Sequence, residues 1–548
     1  MKKYIKNKLS TMKRYIAGML VLFVVAVATK SCDLDTYPTG SVGPVDIFGT
    51  TENARMAVRG ISRLMVQQYH QFQPYNGEGT IKMWYGDHAG HNMVRDFPGW
   101  AANFNWTFFN APANSWNWYP WGYYYRLIGQ ANAIIDNIDG ATGPQSERDQ
   151  IRAQALTYRA YSYFMLSQIY SPRWENATQA QEARGLILRL SADTPDDFPF
   201  SSLYETYEQI YEDLKRAIEY FRSAGITREG THDININVAQ GILARAALTR
   251  QDWALAAEMA AAARIGYPLM TNDEMMGGFY LPNREWIWNS AGATDEQIWW
   301  YAFHSQMGWN ATDGLWGHFA MITRELFAQI PDNDVRRNWW FPPVGPGMAP
   351  GDRSVATAAA NLPSGMTVEQ ATAYFDEFHA KVMAFSNSQS RGIPAANQPW
   401  ISHYQQVKIG RGIADPGVGF LLHMRSTEMF LIEAEARARM GQYAQAQQLL
   451  VTLHTSTNRL PGFTTVNTGQ TLIEEVWLWR DIELWGEGFA WFDLKRTNRP
   501  LVRTRKDQGG SFLTALVLNL SPTDRNGWIF SIPERETDFN RLAVWPRP

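Results

Sequence analysis

Two stretches of the chain repeat one pattern of small and aromatic residues, and this repeat limits the fold more than any other feature. Residues 244–256 contain Ala-Arg-Ala and then Gln-Asp-Trp-Ala-Leu-Ala, and residues 434–446 contain Ala-Glu-Ala and then Gly-Gln-Tyr-Ala-Gln-Ala at the same spacing. In each stretch an alanine-rich helix ends, turns through two polar residues and restarts at an aromatic residue. The small side chains allow two antiparallel helices to approach closely, while the aromatic ring fills the corner.

Helical hairpins of this kind are typical of tetratricopeptide repeats, which stack into a superhelix. Four more segments have helical periodicity: residues 50–65, 121–138, 152–170 and 204–221. Thr50 or Thr51 is placed to cap the first of them, and Ser201 or Ser202 the last. We therefore predict a mainly α fold, with a tetratricopeptide-repeat helical superhelix over about residues 46–265 and 420–500.

Two long regions interrupt this helical pattern. Residues 71–120 and 266–419 lose periodicity and are rich in Gly, Pro, Asn and aromatic side chains. Within the second region we predict a strand at residues 297–303 and a short helix at residues 324–330. Irregular regions of this length in a compact fold are usually functional or hide further elements. We predict that they form a loop-rich subregion, with few short strands, that packs on the helices and is not an independent domain.

The N-terminus has the layout of a secretory signal. Six basic residues precede the apolar run at residues 15–28, which is too short for a transmembrane helix of about 20 residues. Cys32, the only cysteine, follows Ser31 directly, as in bacterial lipoprotein signals. An uncleaved anchor or a chance free thiol is the alternative. We predict a signal peptide at residues 1–31, a lipidated flexible leader at 32–45 and a single domain at 46–548.

Composition excludes some classes of function and leaves others open. A net charge of −3 provides no field that would attract nucleic acid, which we do not expect as a partner. A single cysteine excludes an internal disulfide, so the hydrophobic core must hold the fold. The 23 tryptophans can fill that core or stack on the apolar faces of sugar rings in a wet cleft.

Known catalytic and metal-binding motifs are absent from the sequence. Asp87-His88-Ala-Gly-His91 is the only close histidine pair, and no further ligand spacing accompanies it, so we predict polar loop residues, no metal site and no cofactor. A pair of carboxylates for glycoside hydrolysis is not excluded among 53 acidic residues, but nothing indicates a particular pair. The basic run at residues 495–506 predicts a solvated surface with local ion pairs, with an acidic partner as the alternative.

A resemblance to one family appears in the C-terminal third of the chain. Residues 472–496, the signature block, read LIEEVWLWRDIELWGEGFAWFDLKR and resemble the SusD/RagB family of surface lipoproteins. Four further segments agree with that family: residues 159–164, 237–245, 425–435 and 528–533. Within the block we expect Glu483 and Glu487 to pair with Arg480 or with the basic run that follows.

The resemblance implies what such a protein does. Members of this family are non-catalytic lipoproteins, anchored by lipid on the outer face of the outer membrane. They capture oligosaccharide or polysaccharide and deliver it to a partner, a SusC-like TonB-dependent transporter. Two alternatives stay open: a peptide-binding, RagB-like uptake protein and, from another class, a surface glycoside hydrolase.

The resemblance implies that residues 71–120 and 266–419 form a loop-rich capping subregion that binds ligand, because the family builds its site from aromatic and polar residues in these two loop regions. Tryptophans outside helical stripes are the candidates for stacking, and polar neighbours would donate hydrogen bonds to hydroxyl groups. From the first loop we predict His91, Arg95, Trp100, Asn103 and Trp106 as ligand-binding residues, and from the second loop Trp288, Trp309 and Trp316. Cys32 is the predicted lipidation site.

Overall fold

Long helices make up most of the molecule, as the sequence predicts. The computed structural model describes residues 47–68, 75–95, 98–291, 302–311, 319–389, 392–412 and 419–546. Its long helices are α1 (Thr51–Leu64), α2 (Ser115–Asn137), α3 (Gln145–Tyr170), α4 (Leu203–Ala224), α5 (Ile236–Arg250), α6 (Trp253–Ala263), α7 (Val368–Ser388), α8 (Ser426–Arg439), α9 (Tyr443–Thr455) and α10 (Gly469–Glu483), followed by the shorter α11 (Ala490–Arg496).

Capping residues fix where the predicted helices begin. Thr50 precedes α1, and its side chain accepts a hydrogen bond from the backbone N–H of Asn53. Ser202 precedes α4 and forms a reciprocal capping box with Glu205, which satisfies two backbone donors at once. The expected starts of α1 and α4 are therefore confirmed to within a residue or two.

The helices pack against their neighbours in chain order, which is the arrangement of a superhelix. Helix α2 packs on α3, α3 on α4, α4 on α5 and α5 on α6; α6 then packs on α8, and α8 on both α9 and α10. The two predicted hairpins are present as α5–α6 and α8–α9. In the first, Gln251 adopts a left-handed conformation with φ of 65°, which turns the chain sharply between the helices.

Short elements connect these helices. The short α-helices are Gly77–Thr80, Ala101–Phe104, Ala177–Glu182, Asn272–Met275, Phe303–Met307, Arg324–Phe327, Val355–Ala358, Asp524–Trp528 and Glu534–Thr537, and a π-helix spans Ile81–Asp87. The strands are β1 (Met93–Val94), β2 (Trp286–Ala291), β3 (Met321–Ile322), β4 (Phe420–Arg425), β5 (Leu501–Val502) and β6 (Asn519–Leu520). They pair antiparallel as β1–β3, β2–β4 and β5–β6.

The region 266–419 is more regular than its sequence indicates. It contains α7, a helix of 21 residues that Thr367 caps and that periodicity did not identify. Phe378 and Val382 of α7 pack into a small separate core with Phe341 and Trp309. The helix predicted at 324–330 is present but ends at Phe327, and the predicted strand at 297–303 lies almost entirely outside the described residues.

A buried ionic network joins the capping region to the superhelix. Glu483, in the signature block, accepts hydrogen bonds from Arg336 at 2.8 Å, Arg425 at 3.0 Å and Arg459 at 2.8 Å. Glu487 accepts from Arg425 and from Lys408, whose Nζ lies 2.6 Å from Glu487 Oε1. The expectation that these two carboxylates pair with Arg480 or with the basic run is therefore wrong.

Arg480 and the basic run have other partners. Arg480 donates to Asp493 at 2.6 Å. Lys495 and Arg503 are buried and donate mainly to backbone carbonyl oxygens, such as those of Ser171 and His88. The prediction of a solvated basic surface is thus wrong for these two side chains, because long cationic side chains serve here as internal donors. Arg505 does fit the prediction, since it is exposed and pairs with Asp507.

Candidate functional site

The two loop regions predicted to form a site are in contact. Strand β1 of the first region pairs with β3 of the second, with Met93 opposite Ile322. The next residue, Arg95, donates a hydrogen bond to the backbone carbonyl of Gln306 at 3.1 Å. The structure therefore joins residues that are more than 200 positions apart in the sequence.

Arg95 is placed as a bridge between the loops and not as an exposed donor. Its side chain is buried, and its guanidinium also lies 3.2 Å from the sulfur of Met307. Burial lowers the pKa of Arg95 to about 9. The residue thus holds the second loop against the first.

Trp100 is the predicted tryptophan with the most open position among those described. It is half-buried, and its ring centroid lies 5.1 Å from that of Trp84, with 31° between the planes. Trp116 meets Trp100 edge-on at 6.5 Å, and Phe104 stacks on Trp84 at 5.5 Å. Trp84 is itself buried, so the half-buried Trp100 rests on a buried aromatic base. We call Trp84, Trp100 and Trp116 the aromatic platform.

Asn103 lies three residues from Trp100 and carries an unused donor. Its Nδ2 atom is buried and has no hydrogen-bond partner within the described part of the chain. A buried amide without a partner costs free energy unless a ligand or a water molecule satisfies it. A ligand hydroxyl group that reached this atom would satisfy it, which is what the predicted role as a donor requires.

Trp106 and Trp288 are placed in the core. Trp106 is 2% exposed, and its ring lies 3.7 Å from that of Trp491 and 4.6 Å from that of Phe530. Trp288, in β2, is covered by Tyr161 and His423. Neither ring offers a face to a ligand in this structure, because packing within the core already covers it.

The remaining predicted residues lie apart from the aromatic platform. Trp309 is buried in the small core beside α7, with its ring 5.0 Å from that of Phe385. His91 is half-buried and lines a polar groove of about 690 Å³ together with Asp481 and Arg499. Trp316 and Cys32 lie outside the described residues. The predicted set is thus split between a platform, a groove and the core.

The histidine pair of the first loop has structural partners. The carboxylate of Asp87 accepts a hydrogen bond from the backbone N–H of Gly488 at 2.8 Å, and His88 is buried with its Nδ1 3.1 Å from the sulfur of Met93. Among the described residues, no group of three or more His, Cys, Asp or Glu side chains could hold a metal ion. The motif attaches the π-helix to the signature block.

Two groups at this site were not singled out from the sequence. Trp84 supports the platform, but it lies in the π-helix, where a helical register of 3.6 residues gives no useful signal. Asn92 and Asn498 line the polar groove, and they come from loops 400 residues apart. Isolated amides of this kind carry no motif, so only the three-dimensional arrangement identifies them.

Two family models match the chain at its two ends. One is described as "Starch-binding associating with outer membrane" and matches residues 61–228, which include the aromatic platform. The other is described as the SusD family and matches residues 419–546, which include the signature block. A curated relative, SusD-like protein P38 of Formosa agariphila, is 23% identical over 496 residues, covering 88% of this chain and 90% of the relative.

Solved structures share the fold. A SusD-like carbohydrate binding protein from Bacteroides vulgatus superposes with a TM-score of 0.70 at 23% identity, over 91% of this chain and 98% of that chain. A SusD superfamily protein from Bacteroides thetaiotaomicron superposes with a TM-score of 0.66 at 18% identity, over 90% of this chain and 99% of that chain. The superhelix with its loop-rich cap is therefore an architecture that solved proteins also adopt. Within the described residues, no helix combines the length and the apolar character needed to cross a bilayer.

Proposed function

Because the chain belongs to the SusD/RagB family, we propose that it is a non-catalytic carbohydrate-binding protein of the cell surface. Its ligand is an oligosaccharide or polysaccharide, and its task is capture, not cleavage. The proposal takes its ligand class from the family description and from the carbohydrate-binding relative of known structure. We place the proposed binding site of this chain at the aromatic platform.

The position of the half-buried Trp100 on the aromatic platform is the observation that carries the proposal. A sugar ring has an apolar face of axial C–H groups that stacks on an indole, and such a contact contributes about 0.5–1.5 kcal/mol beyond the burial of area. Trp84 and Trp116 hold the indole of Trp100 in place, so little conformational entropy is lost when a sugar binds. Asn103 then donates a hydrogen bond to a hydroxyl group of the same sugar.

We also propose that the protein works beside a SusC-like, TonB-dependent transporter of the outer membrane. A lipid on Cys32 and the leader at residues 32–45 would tether a single domain, residues 46–548, next to that transporter. The support for this is the sequence pattern around Cys32 and the membership of the family. Cys32→Ser should move the protein from the membrane fraction to the soluble fraction, and an unchanged distribution would contradict the tether.

Affinity electrophoresis in a series of polysaccharide gels tests the binding site and identifies the glycan together. The full-length protein is run through gels that contain starch, fructan, mannan or pectin, and we expect one polymer to retard it. Trp100→Ala should remove most of that retardation, because it deletes the stacking surface and leaves Trp84 beneath it. Wild-type migration of Trp100→Ala in the retarding gel would contradict the proposed site.

Trp400→Ala is the matched control for this experiment. Trp400 is also a surface tryptophan, 40% exposed, and Arg353 lies over its ring at 4.9 Å. It belongs to the capping region near α7 and not to the aromatic platform. We expect Trp400→Ala to be retarded like the wild type, so that loss of retardation in both variants would mean a general effect of removing a tryptophan.

A further inference from the structure

The polar groove is a second concave site whose lining differs from that of the aromatic platform. Its volume of about 690 Å³ is within the range of about 300–1,000 Å³ that small-molecule sites occupy. Residues of the first loop, of the helix Arg324–Phe327, of α10 and of the turn after α11 line it. Those that carry its chemistry are His91, Asn92, Glu325, Glu474, Asp481 and Arg499.

The floor of the polar groove contains an unsatisfied amide. Asn92 is only 8% exposed, and its backbone carbonyl is fixed by hydrogen bonds from Trp485 Nε1 at 2.9 Å and from the N–H of Thr323. Its side-chain amide lines the groove and makes no hydrogen bond to any described residue. A side chain that is more than nine-tenths buried and keeps an unused donor and acceptor is suited to a ligand that supplies both, as a hydroxyl group does.

The charges around the polar groove favour a cation. The lining contains three carboxylates, those of Glu325, Glu474 and Asp481, and one guanidinium group, that of Arg499. The guanidinium of Arg499 lies 3.3 Å from Asp481. Burial lowers the pKa of His91 to about 4, so this ring is neutral at neutral pH. The lining therefore carries an excess of two negative charges. An anionic sugar would be repelled here, while an ammonium group would be attracted.

The two aromatic rings among the residues that line the polar groove, Trp477 and Phe512, are buried, and Arg503 lies over the ring of Phe512 at 5.4 Å. Two guanidinium groups lie over the ring of Trp477: Arg499 at 4.9 Å and Arg439 at 5.4 Å. Recognition in this groove must therefore rest on hydrogen bonds and charge. In this respect it is the opposite of the aromatic platform, where the indole of Trp100 is the main surface.

A second groove of about 610 Å³ adjoins the polar groove but differs from it in charge. It shares Asn498 and Arg499 with the polar groove, so the two meet at this turn. Its lining carries Arg173 and Lys495 against the single carboxylate of Glu175. Ammonium groups are therefore favoured in the polar groove and not in its neighbour.

We propose that the polar groove is a second saccharide-binding site, which holds amino sugars in their ammonium form. Glu325 and Glu474 bind the ammonium groups through charge-assisted hydrogen bonds, and Asn92 and His91 bind hydroxyl groups. This inference rests on the proposed function, since it adds a ligand class to a carbohydrate-binding protein. It assigns no role to the aromatic platform, so the two sites can be tested separately.

Calorimetry with two matched tetrasaccharides tests the proposal. One is a tetramer of glucosamine, and the other is the same tetramer with every amine acetylated, so that the two differ in charge but not in length or linkage. At a pH of about 6 a free amine of this type is protonated. We expect the full-length protein to bind the glucosamine tetramer at least about tenfold more tightly than the acetylated one, a ratio worth about 1.4 kcal/mol.

The double variant Glu325→Gln and Glu474→Gln removes the two exposed carboxylates and keeps their shape. We expect it to lose about tenfold or more in affinity for the glucosamine tetramer, with little change for the acetylated one. Glu219→Gln, an exposed carboxylate on α4, is the control for a general loss of charge and should bind like the wild type. Equal melting temperatures of all three proteins would show that folding is intact.

Two results would overturn the proposal. The first is absence of binding of the glucosamine tetramer to the wild-type protein at millimolar concentration. The second is equal affinity of the double variant and the wild type, which would locate the binding elsewhere. Trp100→Ala separates the two sites: it should leave binding of the glucosamine tetramer unchanged while it removes most of the gel retardation, so either site can fail without the other.

Discussion

At the scale of single residues, Glu483 shows how strongly the interior depends on paired charges. Its carboxylate is fully buried and is shared by the guanidinium groups of Arg336, Arg425 and Arg459. Although burial opposes ionisation, these three cations hold the pKa of Glu483 well below its usual range. The carboxylate is therefore ionised, and its removal would leave three buried cations with fewer acceptors.

Glu483→Gln should lower the free energy of unfolding by about 3–5 kcal/mol, the usual cost of breaking a buried ion pair. Urea denaturation measures this. Glu212→Gln makes the same substitution at an exposed residue of α4, 3.9 Å from Arg216, and should cost less than about 0.5 kcal/mol. If Glu483→Gln were as mild as Glu212→Gln, the network would not stabilise the fold.

The same residue explains why sequence reasoning fails for buried charges. Glu483 and Arg480 lie three positions apart on one helix, so spacing predicts that they pair, yet Arg480 turns to Asp493 instead. The partners of Glu483 come from residues 336, 425 and 459, and nothing in the local sequence indicates them. Predictions of site residues fail for the same reason. Trp100 and Trp106 are both tryptophans of the first loop, and the sequence does not distinguish them. Only the packing of Trp106 against Trp491 places it in the core.

At the scale of elements, the π-helix of the first loop is in close contact with the signature block. Gly86 of the π-helix faces the turn between α10 and α11, where a Cβ atom on Gly86 would lie 2.4 Å from the carbonyl oxygen of Gly488. Lys82 donates to the backbone carbonyl of Glu487 at 2.9 Å on the same turn. The backbone of the turn therefore packs directly against the backbone of the π-helix, with no room for a side chain at Gly86.

Gly86→Ala should destabilise the protein by about 1–3 kcal/mol, because a backbone atom cannot move aside as a flexible side chain can. Gly60→Ala is the matched control, since no atom lies within 4 Å of a Cβ at this position of α1. In a helix that change should be neutral or should stabilise by up to about 1 kcal/mol. Thermal unfolding of both variants measures the difference, and equal melting temperatures would contradict the close contact.

The elements themselves were largely predictable where periodicity is strong. The two hairpins, α1 and α4 followed from apolar stripes, caps and the aromatic residue at each turn. Helix α7 was missed because it lies in a region rich in Gly and Pro, and because it packs on a small core of its own. The pairing of β1 with β3 involves two residues in each strand, which is too short for any alternation to be recognised.

At the scale of the whole molecule, buried histidines link stability to pH. Burial lowers the pKa of His91, His304 and His403 to about 4, and that of three further histidines is also lowered: His88, His423 and His454. In the unfolded chain each histidine titrates near its ordinary pKa of about 6.5. Between these values the unfolded state binds more protons than the folded state, so stability is lost as the pH falls.

We therefore predict that the free energy of unfolding falls from about pH 6.5 toward pH 4. Each histidine contributes up to about 1.4 kcal/mol per pH unit within that window. Asp87 acts in the opposite direction, because burial raises its pKa to about 7 and the folded state then retains a proton that the unfolded state loses. Burial also raises the pKa of Glu78, Asp213 and Asp352, so six histidines oppose four carboxyl groups. Urea denaturation should therefore give a lower stability at acid pH, and a flat profile across this window would contradict the prediction.

The central claim at this scale is that a superhelix of paired helices presents a saccharide site on its cap, centred on Trp100. A crystal structure of the protein with an oligosaccharide from the polymer that retards it in gels tests this most directly. We predict a sugar ring stacked on the indole of Trp100, at a carbon–carbon separation of about 3.5–4.0 Å, with a hydroxyl group within hydrogen-bond distance of Asn103. A sugar bound elsewhere, with the face of Trp100 bare, would contradict it.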